Sequence, residues 1–197
     1  MRTLVLSGMA VLIGMASGLA QAAPWQFDDS HTRVGFTVDH MGFSTVHGQF
    51  GSFKGMVDYD EKKPKSMTVD FTIDTKSINT GWEARDEHLQ KPEFFNVEKF
   101  PTMQFKSTGV MMMGKDKAHV SGNLTLLGVT KPVVLHVTLN KHAVSPITKK
   151  DTIGFVATTT VKRSDFGMMA YVPAVGDEIP VRIDAEMSPA ESTESVK

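Results

Sequence analysis

VDFTIDTKSINTGWEARDEHLQKPEFFNVEKFPTMQFKS, residues 69–107, begins and ends in the same rhythm. Val69, Phe71 and Ile73 alternate with Asp70, Thr72 and Asp74, and Met103 and Phe105 alternate with Gln104 and Lys106. A period of two gives each stretch one apolar and one wet face, which predicts a half-buried β-strand at each end. The connection between them is long and has content of its own. Trp82 to Gln90 holds no Pro or Gly and carries Glu, Ala, Arg and Leu, which predicts a short helix. Phe94 and Phe95 follow, then Val97, Phe100 and Pro101. Most connections run to a few residues, and longer ones tend to carry function. The segment therefore reads as a flap over one end of an otherwise all-β body.

The same alternation extends in both directions. Upstream, Trp25-Gln26-Phe27 reads as a first short strand, and Val34, Phe36 and Val38 mark a second. Val46, Gly48 and Phe50 share one parity, while Phe53, Val57 and Tyr59 share the other. The change falls at Gly51-Ser52, which predicts a β-bulge of the kind that bends a sheet into a barrel. Downstream, strands are expected at Lys117–Leu126, Val133–Leu139, Ile153–Val161 and Glu178–Met187, with a loop over Lys141–Asp151. Roughly eight alternating strands with turn signals between them describe a barrel or a sandwich. Closure into an antiparallel barrel leaves no sheet edge. Barrels of about eight strands are just wide enough inside for side chains or one small ligand.

Not all of the 197 residues belong to that body. Arg2, the apolar run Leu4–Leu19 and Ala20-Gln21-Ala22 form a secretory signal peptide, residues 1–22, with an A-x-A cleavage site. Residues 23–188 make one domain, and 189–197 a polar, disordered tail. There is no Cys, which excludes disulfides and thiolate chemistry. The net charge of -1 offers no basic face for nucleic acid. The 13 Met include the runs Met111-Met112-Met113 and Met168-Met169, read as pliable gap-filling or loop residues.

Several blocks, taken in order, resemble the YceI family of small exported lipid-binding proteins. They are Asp29-Ser30-His31 with Val34-Gly35-Phe36; His40-Met41-Gly42-Phe43-Ser44 with Val46-His47-Gly48-Gln49-Phe50; residues Ile73 to Thr80; Arg85-Asp86-Glu87-His88-Leu89; and Phe94-Phe95-Asn96-Val97 with Phe100-Pro101. Later come residues Gly122 to Val133, Arg163-Ser164-Asp165-Phe166-Gly167-Met168 and Val175-Gly176-Asp177-Glu178-Ile179. The resemblance implies an extended, lipocalin-like antiparallel barrel of about eight strands, working in the periplasm and often as a homodimer. It implies a bound polyisoprenoid, isoprenoid quinone or similar lipid, held for storage, transport or stress protection, with no other cofactor and no catalytic residue. A membrane cytochrome of the b561 type is an implied partner, and an envelope enzyme or redox accessory acting on a lipid or quinone is the alternative.

The residues expected to face the interior are Val34, Phe36, Val38, Val69, Phe71, Ile73, Phe105, Leu124, Leu135, Phe155, Val181 and Ile183. From patterning alone they need only fill a core. With a guest, burying ~600 Å² of hydrocarbon is worth about 15 kcal/mol gross at ~25 cal/mol per Å², from which association costs subtract. Phe94 and Phe95 suit a lid over an apolar mouth, or a plug in it. Arg85, Asp86 and His88 are candidates for a polar-head contact or gate; the competing reading is that Arg85 and Asp86 pin the flap. His31, His40, His47 and His88 do not fall at metal-ligand spacing, so no metal is expected. Hydrolase chemistry lacks its G-x-S-x-G elbow, and Ser164-Asp165 reads as a turn. A protein-binding module would show a large exposed apolar patch, which the alternation does not predict.

Overall fold

The computed structural model describes residues 24–190. The signal peptide and most of the expected tail lie outside the described residues. Eleven strands form one antiparallel sheet. They are β1 (Trp25–Phe27), β2 (Arg33–His40), β3 (Ser44–Phe50), β4 (Phe53–Asp58), β5 (Thr68–Asp74), β6 (Ile78–Asn79), β7 (Thr102–Met112), β8 (Lys117–Leu126), β9 (Val129–Val144), β10 (Asp151–Lys162) and β11 (Glu178–Pro189). One helix, α1 (Glu83–Leu89), sits in the central connection.

The sheet closes on itself because β1 pairs on both sides. Trp25 lies opposite Val57 of β4 and opposite Pro189 of β11. The ring β1-β4-β5-β7-β8-β9-β10-β11 is an eight-stranded antiparallel barrel. Towards the flap end β1, β4 and β5 stop, and β2, β3 and β6 carry their share of the wall. There Val181 of β11 faces Phe36 of β2, and Gln49 of β3 faces Asn79 of β6. β1 with β2, β3 with β4 and β5 with β6 are each a long strand interrupted once.

The interruption between β3 and β4 falls at Gly51-Ser52, where the parity change placed it. It lets Phe50 and Phe53 both point inwards although they are three residues apart. Two further bulges were not anticipated. Thr108 is an extra residue in β7 between the pairs Ser107–Gly122 and Gly109–Ser121. Asn140 is extra in β9, between Leu139 and Lys141, opposite Phe155 and Gly154. That second bulge corrects the expected loop at Lys141–Asp151. The strand continues through it to Val144, and His142 pairs with Ile153, so the true loop is only residues 145–150. β11 also runs past residue 188, with Pro189 seated beside Trp25.

Two apolar clusters lie along the barrel. Val34, Phe50, Phe71, Ile73, Ile78, Met103, Leu126 and Phe166 form the one towards the flap, with Leu89 and Phe95 packed on it. Trp25, Val57, Ile153 and Met187 form the other, joined by Tyr59, Met67 and Phe155.

Candidate functional site: an apolar cavity inside the barrel

Three glycines decide how much of the interior is left open. Gly48, Gly55 and Gly122 sit beside the rings of Phe36, Phe71 and Phe105, and a Cβ at any of them would collide with the neighbouring ring. At Gly55 the collision would come at 2.6 Å from Phe71 Cδ2. The missing side chains let these rings lie down against the sheet. Phe27 and Phe53 pack on Phe71 at ring separations of 5.0 and 5.3 Å, which keeps that ring at the wall as well. Aromatic rings laid over cross-strand glycines both support the strand and leave the axis unfilled.

The result is a cavity of about 980 Å³. That is at the upper end of the range for small-molecule sites. Val34, Phe36, Val38, Val69, Phe71, Ile73, Phe105, Leu124, Leu135, Phe155, Val181 and Ile183 all line it, as do Phe94 and Phe95. The polar groups on its wall stand mainly near the ends. Thr80, Arg85, His88 and Arg163 border one end, while Glu61, Lys115, Asp116, Lys117 and His142 border the other.

The flap is tied down by Thr80. Its backbone N–H and hydroxyl both donate to Asp86 Oδ1, at 2.8 and 2.6 Å. Arg85 donates from Nε to the Thr80 hydroxyl oxygen and from Nη2 to its carbonyl, at 2.7 and 2.8 Å. A seven-residue helix is too short to persist alone, and this knot fixes its first turn. Arg85 thus borders the cavity with its guanidinium engaged, and Asp86 lies off the cavity wall. Asp86 stands as a tie of the flap, one hydrogen bond behind the wall residue Thr80.

His88 Nε2 meets Glu93 Oε1 at 3.1 Å, and its ring lies edge-on to Phe94 at 5.1 Å. Glu93's own backbone hydrogen bond holds its carboxyl below the ordinary range; desolvation opposes it, and His88 adds to the lowering. Phe94 is buried and stacks on Tyr171 at 6.1 Å. Phe95 turns edge-on to Phe50 at 5.6 Å. The two rings therefore split their work, one locking the flap to the 167–177 loop and the other facing the barrel core.

The residue that sequence reasoning missed is Arg163. It is buried, borders the cavity and donates to three backbone carbonyls: Gly176 at 2.8 Å, Met168 at 3.1 Å and Val175 at 3.0 Å. Desolvation lowers its pKa, opposed by Asp177. Asp177 in turn accepts from the Ser164 N–H and hydroxyl, at 2.9 and 2.7 Å. Arg163-Ser164 thus clamps the loop that carries Tyr171. Ser164 does belong to a turn, but its partner is thirteen residues away. Exposed apolar side chains also gather on the loops of this end. Met41, Phe43, Trp82, Met169 and Tyr171 are all exposed, Phe43 by 86%. Strand alternation predicted no such group because every member lies outside the strands.

The histidines expected not to share a metal site are apart in the register: Thr37 faces His47, and His40 faces Ser44. His31 instead pairs with Asp28, Nδ1 to Oδ2 at 2.9 Å, with Glu186 nearby. Ser30 also donates to Asp28 from its N–H and hydroxyl, so this group closes a turn between β1 and β2. No helix among the described residues is long and apolar enough to cross a membrane.

Comparison with known proteins places this geometry. A family model described as a YceI-like domain matches residues 25–187. Protein YceI of Salmonella arizonae is 38% identical over 172 residues, covering 86% of this chain and 89% of that protein. The crystal structure of the Campylobacter jejuni YCEI protein superposes with a TM-score of 0.69 at 30% identity, covering 78% of this chain and 90% of that one. A polyisoprenoid binding domain from Saccharophagus degradans shares the fold, with a TM-score of 0.68 at 14% identity over 85% of this chain and 99% of that one.

Proposed function

This chain belongs to the YceI family, and on that footing we propose that it is a lipid-binding protein whose barrel encloses one long apolar chain. The observation that carries the reading is the hollow itself: about 980 Å³, walled by aliphatic and aromatic side chains, with rings folded back over glycines. A barrel built only for stability gains by filling its axis, since voids forfeit packing contacts. Leaving it open is useful when a guest supplies those contacts.

The guest we favour is a polyisoprenoid or the isoprenoid tail of a quinone. The Saccharophagus degradans domain of the same fold is described as polyisoprenoid binding, which suggests the probe. An apolar wall distinguishes such tails poorly, because one methylene is worth only about 1–3 kcal/mol. The protein holds its guest without altering it, in storage, transport or protection against stress. The N-terminal sequence, Arg2 through Ala22, supports export, and the periplasm as the working place rests on the resemblance. The homodimer and the b561-type cytochrome partner rest on the resemblance alone.

Native mass spectrometry of the protein as purified, followed by solvent extraction, tests this directly. One chemically unchanged lipid per chain is expected, or uptake of one added polyprenol by the stripped protein. A protein that is empty and refuses polyprenol and quinone contradicts the proposal, and a guest consumed over time contradicts the absence of turnover.

A further inference from the structure

The bulge at Thr108 does more than curve the wall. Before it, Met103 and Phe105 of β7 face the cavity; after it, Val110 and Met112 do. Met111 is therefore turned outwards, and it is 63% exposed. Bulges re-aim side chains in this way, and methionine is a residue type more often found inside.

What Met111 joins on the outer face is set by the register. It lies opposite His119 of β8, and His119 lies opposite His136 of β9. Their neighbours Ala118, Val120, Leu135 and Val137 all line the cavity, so both histidines point away from it. Residues directly opposite in antiparallel strands have Cβ atoms about 4.5–5.5 Å apart. The two imidazoles already touch, with centroids 4.6 Å apart and planes at 87°. Imidazole nitrogens bind a metal at about 2.0–2.1 Å, so two rings this close can share one ion by turning about their side-chain bonds. Lys117 is the nearest charged neighbour along the same face of β8, opposite Thr138.

The donor set selects the ion. A thioether is a poor ligand for hard cations and favours Cu(I), while imidazole accepts it readily. The row offers no carboxylate and no thiolate that would favour Ca²⁺, Mg²⁺ or a four-coordinate Zn²⁺ site. We propose that Met111, His119 and His136 form a binding site for a soft monovalent cation, Cu(I), on the outer wall of the barrel and separate from the lipid cavity.

Ag(I), which has the same closed shell and does not cycle, is the probe. Titration of the full mature chain, followed by methionine-methyl and histidine-ring NMR, should give one ion per chain with shifts at these three residues. Met111→Leu and His136→Gln should each weaken the affinity at least tenfold. Both side chains are exposed and outside the cavity, so circular dichroism and lipid uptake serve as controls for folding. Silver binding that is absent, or that survives either substitution undiminished, overturns the site; in the second case other methionines, such as Met168 and Met169, are taking the ion.

Discussion

At the scale of single residues, small side chains matter as much as large ones. The Phe105 ring reaches diagonally over Gly122, which pairs with Ser107, and a Cβ there would also meet the Lys106 carbonyl oxygen at 2.6 Å. Backbone cannot step aside as a ring can. Gly122→Ala should therefore cost about 1–3 kcal/mol, the usual penalty for overpacking. It should also drive the Phe105 ring towards the axis and weaken uptake of a polyprenol. Urea unfolding and a lipid titration on one preparation measure both effects. A variant as stable as the parent, with equal uptake, would show that the ring does not depend on the glycine.

Asp28 and His31 give a second residue-scale prediction, on pH. Hydrogen bonds from Ser30 and His31 lower the Asp28 pKa from 3.8 to about 2. The hydrogen bond to Asp28, and its charge, raise His31 above 6.5. A depressed carboxylate contributes stability above its unfolded pKa and loses it as pH falls through the folded one. A raised histidine contributes below its unfolded pKa and loses it as pH rises through the folded one. The pair should therefore couple most strongly between the unfolded values of 3.8 and 6.5 and fade on either side. A double-mutant cycle with Asp28→Asn and His31→Gln, run across pH, should show that maximum; a coupling that does not vary with pH would contradict it.

At the scale of elements, the flap is the unit with a job of its own. Thr80 holds it through four hydrogen bonds to or from Arg85 and Asp86. Asp86→Ala removes the shared acceptor of two of these and leaves the Thr80 N–H and hydroxyl donors without it in a partly buried place. A loss of about 1–3 kcal/mol is expected, with faster release of a bound lipid, read by stopped-flow exchange. Unchanged release kinetics would mean that the flap does not gate the cavity. Much of this element was legible beforehand. The stretch without Pro or Gly became α1, and the alternating ends became β5 and β7. Strand faces were legible for the same reason: a period of two survives any tertiary arrangement.

What stayed hidden needed register or distance. The bulges at Thr108 and Asn140 carry no glycine in the extra position; Gly109 and Gly154 stand only beside and opposite them, and it takes the register to show which residue is extra. Arg163 looked like one member of a turn, because its three carbonyl partners lie in a loop that only the folded chain brings back. The meeting of His119 with His136 depends on which strands pair and in which frame.

At the scale of the whole molecule, the account rests on an empty axis between two apolar clusters. Ala157 is fully buried on the wall of that axis, between Val137 of β9 and Ile183 of β11. A large side chain there, in Ala157→Trp, has the cavity to enter. It should fold and yet exclude the guest, so it separates a hollow barrel from one that binds lipid elsewhere.

Calorimetric titration of the stripped protein with a polyprenol, repeated at several temperatures, is the most direct measurement. Burial of hydrocarbon inside the barrel predicts one site per chain, a negative heat-capacity change, and loss of binding in a folded Ala157→Trp variant. Absence of saturable binding, or binding that the plugged barrel retains in full, would contradict the account.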